Sequence, residues 1–168
     1  MTTSDKTISF DLGAAQLQVP ERDLLNAWFA KILDTPAPAT FSTPALGERW
    51  QGGIYAGIVR DDEGGPDYHL IVSADDERTA VTWTDAMKWA SELRAAGHAD
   101  WALPNRQEAR VLWANAQQRF AKEWYWLRTQ SAGGESGAWC QGFDDGYQGV
   151  CRKDGELRAR AVRRLPIQ

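Results

Sequence analysis

Nine of the 168 residues are tryptophan, and eight of them fall between Trp50 and Trp139. Each indole brings a large apolar surface and an N–H that needs a partner once buried. Such density restricts this part of the chain to a layered core, a recognition surface, or both. The length suits one compact domain with a small N-terminal addition. No apolar run approaches the roughly 20 residues of a membrane-spanning helix. The opening MTTSDKTISFDLG lacks a basic start followed by an apolar core, so no signal peptide is expected. A net charge of −4 gives no basic excess for nucleic acid, and neither nucleic acid nor membrane is an expected partner.

Hydrophobic periodicity divides the chain into residues 1–35, a proline-rich linker over 36–49 and a domain over 50–168. In the first segment Ile8, Phe10 and Leu12 alternate with polar residues, Gly13 allows a turn, and Leu17 and Val19 alternate again, as strands do. After Pro20, the residues Leu24, Leu25, Trp28, Phe29, Ile32 and Leu33 form a helical stripe, to pack on the domain or to hold protomers together. In the domain, strands are expected over 54–60, 68–74 and 80–83, the last two separated by the polar DDER. A helix follows over 84–97, with Gly97 as its stop. A second helix begins after Pro104, with Asn105 and Glu108 spaced as a capping box and Val111, Leu112, Ala116 and Phe120 as its apolar face. Strands are expected again over 124–129, 138–143 and 147–151, with Asp144-Asp145-Gly146 as a hairpin turn. A closing strand spans 156–165, its arginines lining the outer face of a sheet edge or, alternatively, meeting an anionic ligand. Strands, two central helices and more strands make an α+β domain with an antiparallel sheet.

The tryptophans Trp83, Trp89, Trp101, Trp113, Trp124 and Trp126 are expected in the core, whereas Trp139 fits either core or binding surface. Cys140 and Cys151 face each other across a hairpin. A cross-strand disulfide, two buried thiols and a thiolate metal site are all open, with buried thiols favoured for a protein made in a reducing cytoplasm. The acidic groups Asp61-Asp62-Glu63, Asp75-Asp76-Glu77 and Asp144-Asp145 read as solvated turn residues rather than calcium ligands. His69 and His98 lack metal-ligand spacing and read as structural. No metal or cofactor is expected.

In order and spacing the residues from about Gly52 to Leu165 resemble the Lcl C-terminal domain family of bacteria and phages. The resemblance rests on Trp83-Thr84-Asp85-Ala86, on Asp100-Trp101-Ala102-Leu103-Pro104 leading to Glu108, and on Tyr125-Trp126. It continues through Ala138-Trp139, Phe143-Asp144-Asp145-Gly146 and Arg160-Ala161-Val162-Arg163. Ala102 departs from an arginine common there, and Leu127-Arg128 from a pair of small hydroxyl residues. The resemblance implies a C-type-lectin-like fold. Its relatives include phage receptor-binding proteins, retroelement variable proteins and formylglycine-generating enzymes, the last with a two-cysteine copper site.

In lectin-like relatives the C-terminal region supplies the ligand face. Here the loop over 131–137 and the hairpin turn offer Arg128, Glu135, Gln141, Tyr147, Gln148 and Arg152 for directional bonds, with Tyr147 and Trp139 as flat surfaces and Asp144 and Asp145 at the tip. The expected function is non-catalytic recognition of a cell-surface glycan or protein by a phage- or prophage-encoded protein, tail-associated or receptor-binding. It would be located in the virion or in the host cytoplasm. Contact with a phage tail or other virion protein and a homo-oligomer are further expectations. An intracellular inhibitor or assembly factor is the alternative, and a formylglycine-generating type of enzyme a more remote one.

Overall fold

The computed structural model describes residues 6–11, 16–33, 43–61 and 64–167. Leu12, Gly13, the prolines Pro36 and Pro38, and Asp62-Glu63 lie outside the described residues. The chain divides into two compact units, Met1–Ser42 and Thr43–Gln168.

In the first unit β1 (Thr7–Asp11) and β2 (Gln16–Pro20) pair antiparallel, Ile8 opposite Val19. Helix α1 (Glu21–Leu33) follows directly, with Glu21 and Asp23 in its first turn, where the helix dipole favours negative charge. Leu24, Leu25, Trp28 and Phe29 of the expected stripe are exposed.

The second unit is built on a seven-stranded sheet. Its strands are β3 (Arg49–Trp50), β4 (Gly53–Val59), β5 (Tyr68–Val81), β6 (Trp124–Gln130), β7 (Gly137–Gly142), β8 (Gln148–Arg152) and β9 (Leu157–Pro166). The spatial order is β3-β4-β5-β9-β6-β7-β8, antiparallel at every step except the parallel β9–β6 seam, where Tyr125 pairs with Arg158. The architecture is therefore α+β with a mostly antiparallel sheet. Helices α2 (Trp83–Glu92) and α3 (Arg106–Ala116) cover it. Leu70, Val72, Val162, Tyr125 and Phe143 gather with Leu112 and Ala116 of α3. Ile71, Ala159, Ala161, Trp126 and Cys140 gather with Ala86 and Ala90 of α2. Neighbouring residues of β5 and β9 thus enter different clusters, as period-two alternation requires.

Several expectations need correction. The strands expected over 68–74 and 80–83 are one continuous strand, β5, and Trp83 opens α2 behind the N-cap Thr82. The polar DDER stretch is accommodated by two bulges: between Val72 and Asp76, and again between Glu77 and Val81, β5 advances four residues while β9 advances two. Helix α2 ends at Glu92, short of Gly97. Gly97 instead shares a two-residue turn with Ala96, both at positive φ, closed by paired bonds between Ala95 and His98. Glycine relieves half of the left-handed strain that such a turn imposes.

The closing strand is not an edge. β9 lies between β5 and β6, and Arg160 and Arg163 are buried. The first bulge leaves the Ser73 and Ala74 carbonyls outside the regular ladder. The Arg160 guanidinium donates to them, through Nε and Nη2 to Ser73 at 3.0 and 2.8 Å and through Nη2 to Ala74 at 3.2 Å. Its Nη1 donates to the Arg119 carbonyl, and the ring of Phe120 lies 4.9 Å away. Arg163 bonds Asp100 at 2.6 Å and the Gln51 carbonyl. The Arg163 guanidinium beside Asp100 holds that carboxyl below the usual range. Asp100 therefore stabilises the fold above its ordinary pKa of 3.8, and the contribution is lost as acid protonates it in the folded state. Asp100→Asn should cost about 1–2 kcal/mol at pH 7. The variant and the parent should converge in melting temperature as the pH falls below 3.8; a gap that stays constant into acid would contradict the pairing.

Of the six tryptophans expected in the core, Trp126 and Trp101 are buried and Trp83 and Trp89 half-buried, while Trp113 and Trp124 are more than a third exposed. The capping box of α3 is present in full. Asn105 Oδ1 accepts from the Glu108 N–H at 2.8 Å, and Glu108 Oε2 accepts from the Asn105 N–H at 2.6 Å. No described helix is long and apolar enough to cross a membrane.

Candidate functional site

The three strands β6, β7 and β8 carry the candidate face. Between β7 and β8 the chain turns through Phe143–Tyr147. Gly142 N–H donates to the Tyr147 carbonyl at 2.9 Å, and Gly146 N–H to the Gly142 carbonyl at 3.0 Å. Asp145 Oδ1 accepts from the Tyr147 N–H at 2.9 Å, so one carboxylate of the expected site shapes the turn. Asp144 is exposed beside it. Gly146 has φ +78°, and the Trp113 ring lies where a Cβ would stand, 2.7 Å away. A side chain here would meet both backbone strain and an aromatic wall, which holds the turn on α3.

Gln117 of the 3-10 turn after α3 donates to the Phe143 carbonyl at 3.1 Å. Phe143 stacks on Phe120 with centroids 3.8 Å apart. The turn is thus anchored from beneath while its tip stays in solvent.

The candidate residues fall into distinct settings. Tyr147 is 64% exposed, and its ring stands edge-to-face with Trp124, itself 37% exposed, with centroids 6.1 Å apart. Trp124 lies over the two glycines Gly142 and Gly149 of neighbouring strands, where a missing side chain makes room for the indole. Trp139 is half-buried, with the Arg106 guanidinium 3.5 Å from its ring centre. Gln141 is fully buried and does not face solvent. Its Nε2 donates to the Ala109 carbonyl at 2.8 Å, and its Oε1 accepts from Gln148 Nε2 at 2.7 Å. Gln148 also donates to the Arg106 carbonyl at 2.7 Å. These two glutamines, opposite each other in the β7–β8 register, bolt the hairpin to α3.

Glu135 is exposed in the loop before β7. Arg152 is exposed and paired with Asp154 at 2.8 Å. The loop and β8 share a shallow cavity of about 220 Å³ lined by Ser131, Gly134, Val150 and Arg152. Arg128 lies apart from these residues, in a cleft with Tyr68, Asn105 and Arg164.

Sequence reasoning did not single out Arg106, Trp124 or Asn105 for the site. The tendency of large aromatics to fill cores placed Trp124 inside; its exposure at the start of β6 depends on neighbours that no local pattern reports. His69 accepts or donates at 3.1 Å from the Tyr55 hydroxyl, and His98 packs over Gly52. Both fit structural roles.

Cys140 and Cys151 form a disulfide, with Cα atoms 6.2 Å apart. This corrects the preference for buried thiols. The half-cystines are not directly opposed: Cys140 pairs with Gly149 and Cys151 with Ala138, so the bridge runs diagonally across β7 and β8. It closes a loop containing the whole hairpin turn. Loop-closure entropy predicts that the Cys140→Ala, Cys151→Ala double variant loses about 2–3 kcal/mol. Chemical denaturation should show that loss; an unchanged midpoint would mean the α3 anchors alone hold the hairpin.

The sequence model of the Lcl C-terminal domain matches residues 57–163. The chain belongs to the Lcl C-terminal domain family. All nine candidate residues lie inside the matched span, whereas Arg164, β1, β2 and α1 lie outside it. None of the curated proteins compared with the chain matches it. Membership in the Lcl C-terminal domain family suggests a binding domain.

Proposed function

We propose that this chain is a non-catalytic binding protein on a C-type-lectin-like scaffold, phage- or prophage-encoded. It recognises a cell-surface glycan or protein through its C-terminal hairpin loops, in a tail-associated or receptor-binding role. The observation that carries this reading is the exposed Trp124–Tyr147 pair beside a turn fixed by a disulfide, by Gln141 and Gln148 and by Trp113. Exposed aromatic side chains on a rigid frame are favoured contact anchors, because little conformational entropy is lost on binding. Asp144 and Glu135 add acceptors nearby. The disulfide favours an oxidising location such as the virion exterior over a reducing host cytoplasm, and so weighs against the intracellular inhibitor. Both cysteine sulfurs are committed to that bridge, which also weighs against copper-dependent chemistry of the formylglycine-generating kind.

The test is binding of labelled protein to whole bacterial cells and to an array of bacterial surface glycans. Trp124→Ala with Tyr147→Ala should weaken binding at least ~10-fold while the thermal unfolding transition stays cooperative. Undiminished binding by the folded double variant would reject the site.

A further inference from the structure

We propose that the exposed corner formed by Trp124 and Tyr147 takes the quaternary ammonium of a choline group carried on a surface glycan. This rests on the hairpin reading above and gives that reading a ligand class.

Both rings stand on a strip that has no side chains of its own. Tyr147 Cε1 lies 3.4 Å, and Trp124 Cη2 and Cζ3 lie 4.0 Å, from the point where a Cβ of Gly149 would stand. The ring planes meet at 88°, so two aromatic surfaces border one space, and both rings are open to solvent. Trp124 Cε2 also lies 3.7 Å from the corresponding point on Gly142, with Asp144 Oδ1 at 2.8 Å and Asp145 Oδ1 at 3.2 Å from it. The two carboxylates therefore share a face of the sheet with the rings. Asp145 Oδ1 accepts from the Tyr147 N–H, and no described cation forms an ion pair with either carboxylate.

A cation over the face of an aromatic ring is attracted by the ring quadrupole, and tryptophan is the best such partner. Two rings at right angles can meet one rounded cation on two sides. A trimethylammonium group suits that setting on three counts. Its methyl groups offer apolar surface to the rings, it has no N–H that would need an acceptor, and its charge meets the unmatched carboxylates of the turn. A primary ammonium is strongly hydrated and would give up water bonds that the rings cannot replace. A neutral ligand of the same shape would gain the ring contacts alone. Sulfates and carboxylates would be repelled by Asp144 and Asp145. The same repulsion holds the turn off an anionic bilayer, which favours choline on a glycan over choline on a lipid headgroup.

The experiment is a titration of the full chain followed by nuclear magnetic resonance, with choline, phosphocholine, ethanolamine and neohexanol, the uncharged carbon isostere of choline, as probes. Choline and phosphocholine should bind at least ~10-fold more tightly than the other two. Trp124→Ala with Tyr147→Ala should remove that preference. Asp144→Asn, which keeps the shape of the side chain and removes its charge, should weaken choline at least ~3-fold. Neohexanol or ethanolamine binding as tightly as choline would overturn the assignment, and so would a preference that survives loss of both rings. An Asp144→Asn variant that binds choline as the parent does would overturn the part given to the carboxylate. A parallel pull-down compares a choline-substituted polysaccharide with phosphatidylcholine vesicles; equal capture by the vesicles would overturn the glycan source. Failure of the hairpin reading shows separately, as whole-cell binding insensitive to Trp124 and Tyr147. Cell binding that is lost in that double variant, with no preference for choline in the parent, would overturn the ligand class alone.

Discussion

Glu108→Ala is expected to destabilise the larger unit by about 3–5 kcal/mol, because it strips the carboxylate from a buried ion pair and leaves Arg164 uncompensated. The side chain of Glu108 is wholly buried, and it serves four groups at once: Arg164 Nε and Nη2, the Tyr68 hydroxyl and the Asn105 N–H at the start of α3. Burial and the neighbouring Glu108 charge push the Tyr68 hydroxyl far above its ordinary range, so it stays protonated and able to donate. Removal of Glu108 therefore undoes half of a helix capping box, orphans a tyrosine hydroxyl and leaves a guanidinium without its carboxylate. Glu108→Gln keeps an acceptor for the cap but not the charge, and should recover part of the loss. Urea unfolding of the three proteins measures this; a shift below about 1 kcal/mol for Glu108→Ala would show that water replaces the carboxylate.

Trp126→Ala should cost about 3–5 kcal/mol through cavity formation. Trp126 is fully buried between β7 and β9, packed with Cys140, Ala159 and Trp101, and its Nε1 donates to the Val81 carbonyl at 2.8 Å. That bond secures the end of β5 just before α2 begins. Trp126→Phe should lose less, about 1–3 kcal/mol, chiefly for the Val81 acceptor left without its donor. If the two substitutions proved equally costly, the hydrogen bond rather than the filled volume would be the source of stability.

What could be read from the residues was whatever depends on near neighbours in the chain. Asn105 and Glu108 sit three apart, and their capping box forms as the spacing says. Tyr125 and Trp126 enter separate clusters as alternation says. Family membership followed from the order of such motifs. Quantities set by distant partners could not be read. Polar DDER looked like a break because the bulges that keep β5 continuous depend on its pairing with β9, about 80 residues further on. Arginine-rich β9 looked like an edge because the acceptors of Arg160, the carbonyls of Ser73, Ala74 and Arg119, come from other elements. At the site, Tyr147 and Asp144 were legible as exposed turn residues. Gln141 was not, since only the approach of α3 buries its amide. The partners Arg106 and Trp124 depend likewise on how α3 and three strands meet.

The interior position of β9 has a consequence for how this protein comes into being. A sheet whose middle rung is residues 157–166 stays in two pieces, β3-β4-β5 and β6-β7-β8, until that rung has left the ribosome. Most of its pairing is with residues far back in the chain, which makes assembly a late and slow event relative to local helix formation. Nascent chains stalled before residue 157 should accordingly be digested by protease as readily as an unstructured polypeptide, and chains extended past residue 166 should resist.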